Sequence, residues 1–113
     1  MIDLQVRMET AVSINTEIQE EKRTIQEDAL EPLWKVIAHD DSITTMEFVI
    51  RIMMQIFKKP LIFAEAIMLQ VHNEGLSVVA TLPKAEAELR VRQATIAARL
   101  EGFPFRLTAE PAD

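Results

Sequence analysis

The chain has no cysteine, and this removes disulfide bonds and thiolate metal ligation from consideration at once. It fits a reducing cytoplasm. Glycine occurs only twice, at Gly75 and Gly102, so no Gly-rich phosphate loop can be built. Neither a G-x-S-x-G nucleophile elbow nor an H-E-x-x-H zinc site is present, and no enzyme is expected. No run approaches the roughly 18 to 20 apolar residues of a membrane span. The start, Met1 to Arg7, lacks the basic and continuous apolar blocks of a signal peptide. An excess of positive charge is also missing. A net charge of −6 argues against a phosphate-backbone partner.

What is there is a chain of 113 residues, 49% of them hydrophobic, long enough for one core and too short for two. The charge is uneven. Residues 1–32 carry eight acids against three bases (Arg7, Lys22, Arg23) and so hold −5 of the −6. Ile2, Leu4, Val6 and Met8 roughly alternate, as in an edge strand or a segment that docks extended. The stretch from Glu17 to Glu31 is charge-dense and free of aromatics, which favours solvation. Residues 1–32 are therefore read as an acidic, mobile extension, 33–109 as the core domain and 110–113 as a short tail.

Within the core, Leu33 to Ala38 is a short apolar run with an aromatic and β-branched residues, a first strand. Thr44 followed by Glu47 predicts a capping box, after which Met46, Val49, Ile50, Met53 and Phe57 recur at helical spacing. Pro60 opens a second helix with Leu61, Ala64, Met68 and Val71 inward, and Gly75 closes it in a left-handed cap. Leu76 to Leu82 is a second strand. Pro83 starts a third helix whose apolar stripe is expected at Leu89, Gln93, Ile96 and Leu100, with Val91, Ala94 and Ala98 beside it, and Phe103 to Thr108 is a closing strand. The order β-α-α-β-α-β fits an α/β (α+β) sandwich, a three-stranded antiparallel sheet packed on one face by three helices.

The chemistry-bearing residues gather at two places. Asp40 and Asp41 leave the first strand side by side, and His72 closes the second helix. Acids at such a turn commonly bond local amides, and a histidine in a last helical turn commonly answers the helix dipole. Adjacent carboxylates also repel, and each gains from a cation close by. An ammonium would supply one. Met46 and Met68, unbranched and polarizable, would make adaptable walls for an apolar group next to it. Together these describe the chemistry of a free amino terminus. Metal ligation is not expected, because adjacent aspartates project in different directions. His39 reads as a structural strand-end residue.

Val36-Ile37-Ala38-His39-Asp40-Asp41 through Met46-Glu47-Phe48-Val49, then Ala66 to Gly75, resembles ClpS, the adaptor that hands N-end-rule substrates to the AAA+ unfoldase of the Clp protease. The likeness runs from about Leu33 to Thr108. It implies a pocket for the first residue of a destabilised protein, typically Leu, Phe, Tyr or Trp. Carried over, it implies that Asp40, Asp41 and His72 bind the α-amino group and that Thr44 meets the peptide backbone. Met46, Val49, Met68, Val71 and Phe105 would then form the side-chain pocket. It further implies a monomer that meets the N-terminal domain of ClpA or ClpC through Lys84, Glu88 and Arg90, with no cofactor. Asp40 stands where the family usually has Asn, Ser42 where many members have Asp, and Phe105 where the family has Leu. The same order of elements also resembles the carboxyl-terminal domain of the ribosomal stalk protein, an interaction module. That reading predicts no affinity for amino termini.

Overall fold

The central strand, β1 (Leu33–His39), is built from residues that suit a sheet covered on one side. Trp34, Val36 and Ala38 meet the helical layer, while Leu33, Lys35 and His39 alternate onto the open face. The structure is a computed structural model that describes residues 31–113. The readings made for residues 1–30 lie outside it. β1 pairs antiparallel with β2 (Leu76–Pro83) on one side and β3 (Arg106–Pro111) on the other, giving the sheet order β2-β1-β3. A β-bulge interrupts the first ladder: Val36 faces Ala80 but Ile37 faces Val78, so Val79 is the extra residue. The expected order β-α-α-β-α-β is the observed one.

Helix α1 (Met46–Gln55) starts one residue later than the sequence suggests. Thr45 is its N-cap, the hydroxyl accepting from the Phe48 amide at 3.2 Å, and no Thr44–Glu47 capping box forms. The reason is local: the Asp41 carboxylate takes the Thr44 amide and hydroxyl, both at 2.7 Å. α1 buries Phe48, Val49, Ile52 and Met53, and the Lys59 amide closes its end on the Met53 carbonyl at 3.0 Å. This closure places Lys58 at φ 57°, a left-handed conformation that costs a side chain other than glycine.

Helix α2 (Leu61–Glu74) buries Ala64 and Val71, with Ile67 and Met68 packed against the core. Leu61, expected inward, is exposed. Gly75 ends the helix at φ 90°, a conformation that L side chains rarely adopt.

Helix α3 (Lys84–Leu100) corrects the reading of its inner face. Ala87, Ala94 and Ala98 are fully buried and Val91 partly so, whereas Leu89, Ile96 and Leu100 point to solvent, Leu100 being 82% exposed. Methyl side chains let the helix backbone approach the sheet closely, so the contact is won by shape rather than by side-chain bulk.

The closing segment is corrected as well. Phe103 and Phe105 are not strand residues; their rings lie 5.0 and 6.2 Å from that of Phe48, and Arg99 Nη1 donates to the carbonyls of both. The strand begins at Arg106 and continues through Pro111, into the stretch read as a tail.

Candidate functional site

Two main-chain features bring the sequence-predicted polar residues together. β1 delivers Asp40 at its exit, and the Asp40 amide donates to the Gly75 carbonyl at 2.9 Å. That bond ties the strand exit to the C-cap of α2, whose last turn carries His72. Asp40 and His72 thus face one recess of about 700 Å³, which Asp41, Thr44, Met46 and Val49 also line. Both Asp40 and His72 are exposed, and neither side chain takes part in a hydrogen bond or ion pair among the described residues.

Asp41 has a different position. Its Oδ1 accepts from the amides of Ile43 (2.8 Å) and Thr44 (2.7 Å), and its Oδ2 from the Thr44 hydroxyl (2.7 Å). Burial alone would raise its pKa. The Thr44 amide and hydroxyl, the Ile43 amide and the positive charge of Arg99 outweigh this and hold it below the ordinary carboxylate value. Asp41 is therefore an ionised anchor for the β1–α1 loop, and its negative charge remains at the recess. The Thr44 hydroxyl, whose one O–H is donated in a hydrogen bond to Asp41, keeps only acceptor capacity toward the recess.

The apolar residues divide. Met46, at the rim, is 42% exposed, and Val49 forms wall. Val49 is the one residue that belongs both to this lining and to the buried core cluster of the described residues. Val71 and Phe105 belong to that cluster and Met68 packs against it, but none of the three lines the recess. Phe105 is only 1% exposed and meets the Phe48 ring edge-on. Sequence reasoning gave no site role to Ile43 or Glu47, which also line the recess. The Glu47 assignment to a capping box concealed a third carboxylate there.

The remaining candidates lie on α3. Lys84 Nζ stands 5.0 Å over the Trp34 ring, Glu88 is exposed, and Arg90 is held by Glu86 at 2.8–2.9 Å one turn back. His39 shares a 2.8 Å hydrogen bond between its Nε2 and the Thr108 hydroxyl. Its pKa is lowered by burial and by Arg106, against a smaller opposing effect of Glu110. Among the described residues, no helix is long and apolar enough to cross a membrane.

The model of the family described as ATP-dependent Clp protease adaptor protein ClpS matches residues 29–108. An ATP-dependent Clp protease adapter protein ClpS of Lawsonia intracellularis is 40% identical over 90 residues, covering 79% of this chain and 83% of its own length. Its counterpart in Oleidesulfovibrio alaskensis is 33% identical over 107 residues, 95% of this chain and 93% of its own. Among solved structures, Agrobacterium tumefaciens ClpS2 bound to L-phenylalaninamide is similar with a TM-score of 0.69 and 30% identity, over 71% of this chain and 96% of that one. The match spans the whole of the β-α-α-β-α-β domain up to β3, and with it both banks of the Asp40–His72 recess. The chain belongs to the ClpS family, the adaptors of the ATP-dependent Clp protease, and is an adaptor rather than an enzyme.

Proposed function

We propose that the Asp40–His72 recess binds the free α-amino group of a substrate protein whose first side chain is bulky and apolar (Leu, Phe, Tyr or Trp). The adaptor then presents that protein, in the cytoplasm, to the AAA+ unfoldase ClpA or ClpC. One observation carries the reading: Asp40 and His72, each without a side-chain partner among the described residues, share a recess whose wall is Met46 and Val49. A terminal ammonium has three donors. Asp40 and an unprotonated His72 nitrogen accept two of them directly, and the fixed charge of Asp41 adds attraction. The ligand of the Agrobacterium protein, L-phenylalaninamide, supports the reading, being an apolar side chain beside a free α-amine.

The energetics suit a carrier. Charge-assisted hydrogen bonds contribute roughly 1.5–3 kcal/mol each, and a buried Leu or Phe side chain roughly 1.5–3 more. Immobilising the peptide costs about 4 kcal/mol or more, so two direct bonds and one buried side chain leave at most roughly 5 kcal/mol, a sub-millimolar affinity that permits release. Val49 belongs both to the recess lining and to the core cluster that holds Val71 and Phe105, so the depth reached by the first side chain is proposed to depend on how Met46 and Val49 move aside. On α3, Lys84, Glu88 and Arg90 are proposed as the unfoldase-facing set.

The test is fluorescence anisotropy with peptides differing only in residue one, each with a free and an acetylated terminus. A free Phe-peptide is expected to bind and its acetylated form to lose about 2 kcal/mol or more, since acetylation removes the charge and two donors. Equal binding of the two forms would refute the assignment.

A further inference from the structure

A second groove, of about 600 Å³, shares no lining residue with the Asp40–His72 recess. It runs between α2 and β2, with Phe57, Phe63, Ile67 and Val78 as its apolar walls and Lys58 and Lys59 at the α1–α2 turn. Next to it, three consecutive large side chains at the start of α2 stand in solvent: Leu61, Ile62 and Phe63 are 51%, 73% and 60% exposed. Successive helical residues point about 100° apart, so no single face of this domain's own core covers all three. Of the three, Phe63 lines the groove, and with Phe57, Ile67 and Val78 it gives the groove an apolar surface of the kind that marks interaction sites.

The charge pattern says what kind of partner it fits. The chain as a whole is acidic, at −6, so an acidic partner is not drawn in by the molecule's overall field. At this groove the sign is locally reversed. Neither Lys58 nor Lys59 has an ion-pair partner among the described residues, and Glu65, the acid closest in sequence, is not part of the lining. The first turn of α2 contains no acidic residue and Pro60 supplies no side-chain cap, so the positive end of that helix adds to the lysines. The turn also breaks a local rule: Lys58 occupies a φ of 57° that glycine would adopt without strain.

We propose that this groove docks a partner protein through an acidic segment with a large apolar anchor. The anchor enters between Phe63 and Val78, and carboxylates next to it meet Lys58 and Lys59. The bulge at Val79 breaks the regular ladder of β2, so side chains rather than strand addition carry the affinity. The inference is independent of the amine reading, because the two recesses share no lining residue and the test reads shifts at each separately.

The experiment titrates the full ¹⁵N-labelled chain with an acetylated, amidated peptide that alternates Phe or Leu with Glu. A control peptide carries Lys in place of every Glu. Saturable shifts are expected at the amides of Lys58, Lys59, Leu61, Ile62, Phe63, Ile67 and Val78, with the signals of Asp40 and His72 unmoved. Affinity is expected to fall at least tenfold for Phe63→Ser, for the double variant Lys58→Glu with Lys59→Glu, and for the control peptide. Phe63 and Lys58 are exposed, so these changes leave the core intact. Four results would overturn the proposal: no saturable shift at millimolar peptide, binding that survives both variants, equal binding of the Lys peptide, or self-association through the same amides without peptide.

Discussion

Asp40 and Asp41 are neighbours in the sequence, yet only Asp41 is bonded within the loop, so the proposed function gives them separable duties, and replacing each by alanine tests this directly. Asp41→Ala removes the acceptor of three hydrogen bonds of 2.7–2.8 Å that hold the β1–α1 loop. A bond to a charged group contributes roughly 1.5 kcal/mol at the low end, and halving this for solvent access gives about 2 kcal/mol for the three together. The Asp40 carboxylate is exposed and has no partner among the described residues, so Asp40→Ala is expected to change stability by less than about 0.5 kcal/mol. It should nevertheless weaken a free Phe-peptide about tenfold or more, because an ammonium donor loses its acceptor. Urea denaturation followed by circular dichroism reads the first quantity, and fluorescence anisotropy the second. The pH dependence is a further check. The folded pKa of Asp41 is depressed, so its stabilisation is complete above the unfolded carboxyl value of about 3.9 and is lost as pH falls through the folded value. Asp41→Asn should flatten that acid limb. If Asp40→Ala unfolded the domain as readily as Asp41→Ala, or left peptide binding untouched, the division of duties would be wrong.

Lys58→Gly relieves a left-handed backbone and is expected to raise stability by roughly 0.5–1 kcal/mol in the same denaturation assay. His39 has a lowered pKa in the fold, so the unfolded chain takes up its proton first; stability should fall as pH drops below about 6.5, and His39→Gln should remove that part of the profile. Ala94→Leu, at a position with no exposure, is expected to cost roughly 1–3 kcal/mol or more by overpacking, while Leu100→Ser should be within about 0.5 kcal/mol of the parent.

Which parts of this molecule could be read in advance follows from where side-chain size and backbone chemistry agree. The strands rest on β-branched runs, Gly75 on its need for a positive φ, and the first two helices on apolar spacing, so their order and the three-stranded sheet were legible. α3 was misread because periodicity counts bulk. Leu89, Ile96 and Leu100 form a regular stripe that left Ala94 and Ala98 as its flank, but a helix lying close on a sheet selects Ala87, Ala94 and Ala98, whose single methyl groups weigh less than Leu or Ile on a hydropathy count. The capping box failed for a different reason: Thr44 had two suitors, and spacing alone does not reveal that Asp41 is nearer than Glu47. Phe105 was assigned to a pocket by its likeness to a family position; its placement in the core depends on the Phe48 and Phe103 rings, which no local pattern shows. The convergence of Asp40 and His72 was suggested by chemistry, but the bond that joins their elements runs from an amide to a carbonyl 35 residues apart, and side-chain types carry no trace of it.

That amide-to-carbonyl link between Asp40 and Gly75 has an evolutionary corollary. Because it is made by atoms every residue but proline possesses, mutation on either bank cannot easily widen or narrow the gap that separates the acid from the imidazole. Descendants of this gene can alter the character of the recess by trading one lining group for another, as Asp for Asn at position 40, while inheriting the same jaw span.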